Sequence, residues 1–218
     1  MPTIGLMQNK GYVMKVVIGL SGNIATGKST VSNILRDHGA VVVDADLIAR
    51  KIVEKGEPAL NEIVRSFGSE ILQSDGTLDR KALGDIVFNN PDQLHTLNRI
   101  MHFRITSHIK QEIEHFRQRT DKEILTIDAA LLFEAGLDKL VDQIWFVDTS
   151  EKLQLERLKK RNNFTDDEAL KRIKAQHNAD FKRHKAHVVI HNNDTLEQLE
   201  KEVVHHLRKL KHKESRHH

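Results

Sequence analysis

Between the apolar run Val16–Leu20 (VVIGL) and a segment of helical periodicity lies GNIATGKST, residues 22–30. Gly22, Gly27, Lys28 and Ser29 satisfy G-x-x-x-x-G-K-[ST] in full. No other feature restricts the fold as strongly. Such a loop works only where a buried strand delivers it and a helix N-terminus receives it. Val16–Leu20 is short, rich in β-branched residues and reads as a buried parallel strand. Beyond the loop, Val31, Ile34 and Leu35 recur at helical spacing. The glycines let the backbone curl until its N–H groups face phosphate oxygens. The spacing therefore predicts that Gly22, Asn23, Ile24, Ala25, Thr26, Gly27, Lys28, Ser29 and Thr30 hold a nucleoside triphosphate. Lys28 would be the point charge on its terminal phosphates, and the Ser29 hydroxyl a ligand of Mg²⁺.

Four further strands are predicted: Ala40–Asp46 (AVVVDAD), one within Glu123–Glu134 ending near Asp128, Gln143–Thr149 and His187–Asn192. Helical patterns fill the gaps. Ser150 can cap a helix running towards Arg161, and TDDE (165–168) and TLEQ (195–198) each fit a capping box. In the last helix Leu196, Leu199, Val203, Leu207 and Leu210 form one stripe. Alternating strands and helices point to an α/β fold, a five-stranded parallel sheet covered on both faces. The second and third strands are separated by about 75 residues, whereas a crossover needs about a dozen. Ile63, Val64 and Phe67, then Leu83, Ile86 and Val87, then Leu94, Leu97, Ile100, Met101 and Ile105 make that segment a helical insertion. One domain over 14–211 is expected: a core of 14–55, 120–150 and 179–211, a substrate lobe of 56–119 and a lid of 151–178. Residues 1–13 are expected to be a leader ahead of Met14, and 212–218 a tail whose final His pair is a tag remnant.

In an open α/β sheet, ligands sit beyond the carboxyl ends of the strands, where Asp44, Asp46 and Asp128 are predicted to stand. In extended chain Asp44 and Asp46 would point the same way. One could accept a proton from an attacking hydroxyl while the other holds Mg²⁺ or its water. Capping of a helix near Leu47 is the competing role for either. Asp128 competes with Asp44 for the magnesium, and that choice stays open. Arg157 and Arg161 are spaced i, i+4 before the polar break NNFTDD, a plausible lid with a mobile corner. An arginine brought over the phosphates would stabilise the charge of the transition state. Arg80 and Lys81 could meet an anionic substrate from the insertion. The histidines His184, His187 and His191 do not converge at strand spacing, so no metal site is expected there.

Composition narrows the class further. There is no cysteine, hence no disulfide and no thiolate metal site, as suits a reducing cytoplasm. No apolar stretch is long enough to span a membrane, and no secretory signal is visible. The formal charge of +3 is concentrated in RKLKHKESRHH at the C-terminal end, read as a solvated helix end and not as a nucleic-acid site. No N-K-x-D guanine-reading segment occurs, which disfavours a GTPase. A small-molecule kinase is the simplest reading. The alternatives are a nucleoside or nucleotide kinase and a non-catalytic nucleotide-binding regulator.

GLSGNIATGKST, VVDADLIAR, GTLDRKALGDIVF, ALLFEAGL, RLKKRNNFTDDEALKRIKAQ and VVIHNNDTLEQLEKEV occur in this order. Together they resemble the dephospho-CoA kinase family over about Val16–Val204, the DADLIAR and LDRKALGDIVF pair being the most specific. The resemblance implies ATP and Mg²⁺ as cofactors, and phosphorylation of the ribose 3′-hydroxyl of dephospho-CoA; the chain is expected to be cytoplasmic, as a monomer or a small homo-oligomer. It implies Asp46 as the base, Lys28 and Arg161 as catalytic partners, and Arg157 as a further lid arginine on ATP. It places Arg50, Arg80, His102, Leu132 and Glu134 with Asp46 around the acceptor. Phe103 and Ala130 stand where the family usually has proline, and His187 where aspartate is frequent.

Overall fold

The computed structural model describes residues 15–88, 90–176 and 179–213. The expected leader and the terminal His pair lie outside them. The chain forms β1 (Val16–Gly22), α1 (Lys28–Asp37), β2 (Val41–Asp44), α2 (Ala45–Lys51), α3 (Pro58–Phe67), α4 (Arg80–Phe88) and α5 (Pro91–Gln118). It continues through β3 (Ile124–Asp128), β4 (Gln143–Asp148), α6 (Glu151–Asn162), α7 (Asp166–Ala175), α8 (Ala179–Lys185), β5 (Val188–His191) and α9 (Leu196–Lys213). Among the described residues five strands form one parallel sheet, in the order β2-β3-β1-β4-β5.

Alternation along β1 divides the core. Val16, Ile18 and Leu20 face Val31, Ile34 and Leu35 of α1 and Leu199, Val203 and Leu207 of α9. Val17 joins Leu125, Ile127 and Ile144 on the opposite face, against Ile105, Ile109, Ile113 and Phe116 of α5. Both faces are therefore covered, as the near-continuous apolar strands demand. Leu196 departs from the expected stripe: as the first residue of α9 it is 63% exposed. Among the described residues no helix is long and apolar enough to cross a membrane.

The insertion is helical and has its own apolar centre, Val53, Ala59, Ile63, Phe67, Ile71, Leu83, Val87 and Ile100. Its last helix, α5, has 28 residues, about 42 Å of continuous helix. The N-terminal part supplies Ile100 to the insertion, and the part from Ile105 to Phe116 packs on the sheet. One rod thus fastens the insertion to the core.

The predicted strand Ala40–Asp46 is too long. β2 stops at Asp44, whose carboxylate accepts the Leu47 N–H at 2.8 Å and caps α2. Asp46 lies in the first helical turn and does not share an extended segment with Asp44. Register places Leu20 and Asp44 on either side of Asp128, so β1, β2 and β3 reach the same edge.

Candidate functional site

β1 runs into the loop at Gly22, and α1 begins at Lys28. Gly27 has φ 88°, and a Cβ there would lie 2.1 Å from the Asn192 amide nitrogen. A Cβ on Gly22 would come within 2.7 Å of the Thr26 hydroxyl, which itself bonds the Asn23 carbonyl at 2.9 Å. The two motif glycines are therefore required by backbone shape and by closeness. Gly22, Asn23, Ile24, Ala25, Thr26, Gly27, Lys28 and Ser29 line a cleft of about 420 Å³ together with Ala130, Arg157, Arg161 and Gln176. Thr30 belongs to the first turn of α1, where its N–H bonds the Gly27 carbonyl at 2.9 Å.

Lys28 lies between two carboxylates. Its ammonium group donates to Asp128, and Asp46 Oδ2 is 3.7 Å away. The two acids differ in access. The Asp128 side chain is 8% exposed and also accepts the Ser32 hydroxyl, whereas that of Asp46 is 45% exposed. Solvent reaches the Asp46 carboxylate and barely reaches that of Asp128. Asp44 is engaged as the cap of α2 through the Leu47 N–H. The side chains suit the ions of a nucleotide site: the Lys28 ammonium for phosphate, and the exposed Ser29 hydroxyl for a hard cation. No group of three or more His, Asp or Glu gathers as a metal site among the described residues. Magnesium needs few protein oxygens when phosphates and water complete its shell.

Arg157 is half-buried and Arg161 is exposed. Arg157 donates to the carbonyls of Ala25 and Thr26, each at 3.4 Å, and to that of Asn192 at 3.0 Å. It holds the loop carbonyls and also lines the cleft. Arg161 is exposed at the cleft, with Nε donating to Asn162 Oδ1 at 2.9 Å. Between α6 and α7 the chain turns at Asn163 (φ 53°), and α7 opens with the predicted Thr165–Glu168 capping box. The corner expected to be mobile carries defined contacts: Arg172 stacks over Phe164 at 3.9 Å, and Lys159 pairs with Asp166.

The residues assigned to the acceptor lie outside this cleft. Arg50 closes α2 and Arg80 opens α4, both exposed, and His102 is half-buried on α5. Leu132 is 0% exposed, and its methyl groups fill the space over Gly19. It is a core residue with no surface to offer a ligand. Glu134 is exposed and pairs with the buried Lys182 at 2.8 Å. His187 accepts the Ile144 N–H at 2.9 Å, a bond that holds the sheet edge. Sequence reasoning missed Gln176, whose side-chain oxygen accepts the Ile24 N–H, and Asn192, whose amide bonds the Thr26 carbonyl at 2.8 Å. The signal for Asn192 was its position just beyond the last strand, on the edge where the loop lies.

Comparison with known proteins gives consistent results. The family model described as dephospho-CoA kinase matches residues 16–198. A curated dephospho-CoA kinase of Listeria innocua is 47% identical over 191 residues, 88% of this chain and 95% of the relative. One from Bacillus cereus is 45% identical over 183 residues, 84% of this chain and 91% of the relative. The solved dephospho-CoA kinase of Campylobacter jejuni superimposes with a TM-score of 0.69 at 28% identity, covering 90% of this chain and 98% of its own.

Proposed function

Because the chain belongs to the dephospho-CoA kinase family, we propose that it transfers the γ-phosphoryl group of ATP to the ribose 3′-hydroxyl of dephospho-CoA, giving coenzyme A and ADP. The observation that carries the assignment of roles is Lys28 held at the foot of the loop between a buried and an exposed carboxylate. Phosphoryl transfer depends on position and on charge stabilisation more than on base strength. The loop amides and Lys28 seat the polyphosphate. Mg²⁺, held by Ser29 and, through water, by Asp128, would neutralise charge on the transferred group. Asp46 takes the proton of the ribose hydroxyl as its oxygen bonds to the γ-phosphorus and the bond to the ADP oxygen breaks. The Lys28 ammonium lies 3.7 Å from that carboxylate, so base and phosphate donor share one corner of the site. Arg161, at the mouth of the cleft, supplies positive charge to the equatorial oxygens. The helical insertion, with Arg50, Arg80 and His102, receives the acceptor, and the reaction runs in the cytoplasm.

A coupled assay of ADP release across dephospho-CoA, pantetheine compounds and nucleosides tests this function. ADP release is expected to rise sharply with dephospho-CoA alone. A rate unchanged by dephospho-CoA, or higher with a nucleoside, would refute the assignment.

A further inference from the structure

Asn192 follows β5 and is 7% exposed. Its backbone N–H bonds the Asp148 carbonyl at 2.8 Å and so extends the β4–β5 ladder. Its side-chain Nδ2 donates to the Thr26 carbonyl at 2.8 Å, across 166 positions of sequence. Arg157 closes the other side. One guanidinium nitrogen donates to Asn192 O at 3.0 Å and Oδ1 at 3.4 Å, the other to the carbonyls of Ala25 and Thr26. The Thr149 hydroxyl bonds Asn192 O at 2.8 Å, so the anchor is itself held.

A trans peptide keeps its N–H opposite its carbonyl. Fixing the Thr26 oxygen on Asn192 and Arg157 therefore turns the Gly27 N–H away from them, into the cleft that Gly27 lines. Gly27 is moulded to the same contact, since any side chain there would collide with the Asn192 amide. We propose that Asn192 is a positioning residue of the phosphate loop. It acts on bound nucleotide through the Gly27 N–H, and together with Arg157 it ties the loop to α6, the root of the lid. It touches no reacting atom. The inference rests on the loop being the seat of ATP.

Asn192→Asp keeps the volume and the Oδ1 acceptor but sets an oxygen against the Thr26 carbonyl. The Kd of ADP, measured by calorimetry, is expected to rise at least about tenfold, the scale of a lost buried hydrogen bond. The KM for ATP should rise by the same factor while the KM for dephospho-CoA stays level, a split that a general loosening of the fold would not produce. Fluorescence of Trp145, the single tryptophan and fully buried, reports whether the core is intact. ADP binding within about twofold of wild type, or a parallel rise in both KM values, would overturn the proposal. Should Asn192→Asp fail to fold, Asn192→Ser, which loses the reach to Thr26, is judged by the same criteria. ADP binding needs no acceptor. Failure of dephospho-CoA as a substrate would therefore be told apart from failure of this inference.

Discussion

Asp46→Asn is expected to bind ATP about as tightly as wild type and to turn over dephospho-CoA at least roughly a hundredfold more slowly, as loss of a positioned base requires. The amide keeps the shape of the carboxylate but cannot take the proton. Its effect on ATP should be small for a specific reason. Asp46 is the more distant of the two acids at Lys28, at 3.7 Å and half in solvent, so its charge does little to hold the ammonium. Removing that charge also removes a repulsion against the phosphates. Calorimetry with ATP and the coupled ADP assay measure the two effects separately. Turnover near the wild-type rate would take the base away from Asp46.

Lys28→Ala should instead damage both steps. ATP affinity is expected to fall by on the order of tenfold or more, and kcat by a further hundredfold or more, the scale of one lost charge donor at a transition state. The geometry makes the change worse than the removal of a lone lysine. Asp128 and Asp46 would remain beside the loop without the cation that lies between them, and both would then repel the incoming polyphosphate. ATP affinity unchanged in this variant would contradict the role of the loop as phosphate seat.

The division between what the sequence disclosed and what it hid follows the range of each interaction. The loop was legible because its chemistry occupies eight consecutive positions, from Gly22 to Ser29, between a strand and a helix that are each locally patterned. The insertion was legible because a crossover of ordinary length cannot hold three apolar periodicities. Asp44 and Asp46 were harder. D-A-D reads equally well as the end of a strand or as a cap followed by a helical turn, and the second won because the Asp44 carboxylate satisfies the Leu47 N–H. Arg157 and Arg161 share a helical face by spacing and both line the cleft, yet only the tertiary position of α6 decides that Arg157 also holds the loop carbonyls. Leu132 went to the acceptor site by family resemblance, whereas the missing side chain of Gly19 opens the space that buries it. Asn192 had only its place at the end of the last strand to mark it, because its partner is 166 positions away.

Phosphorus NMR of the product formed from ATP and dephospho-CoA reports which oxygen was attacked. One new phosphomonoester is expected on the ribose 3′-oxygen, formed in step with ADP and lost with Asp46→Asn. A phosphate on any other oxygen, or ADP formed with no phosphorylated acceptor, would contradict the assignment.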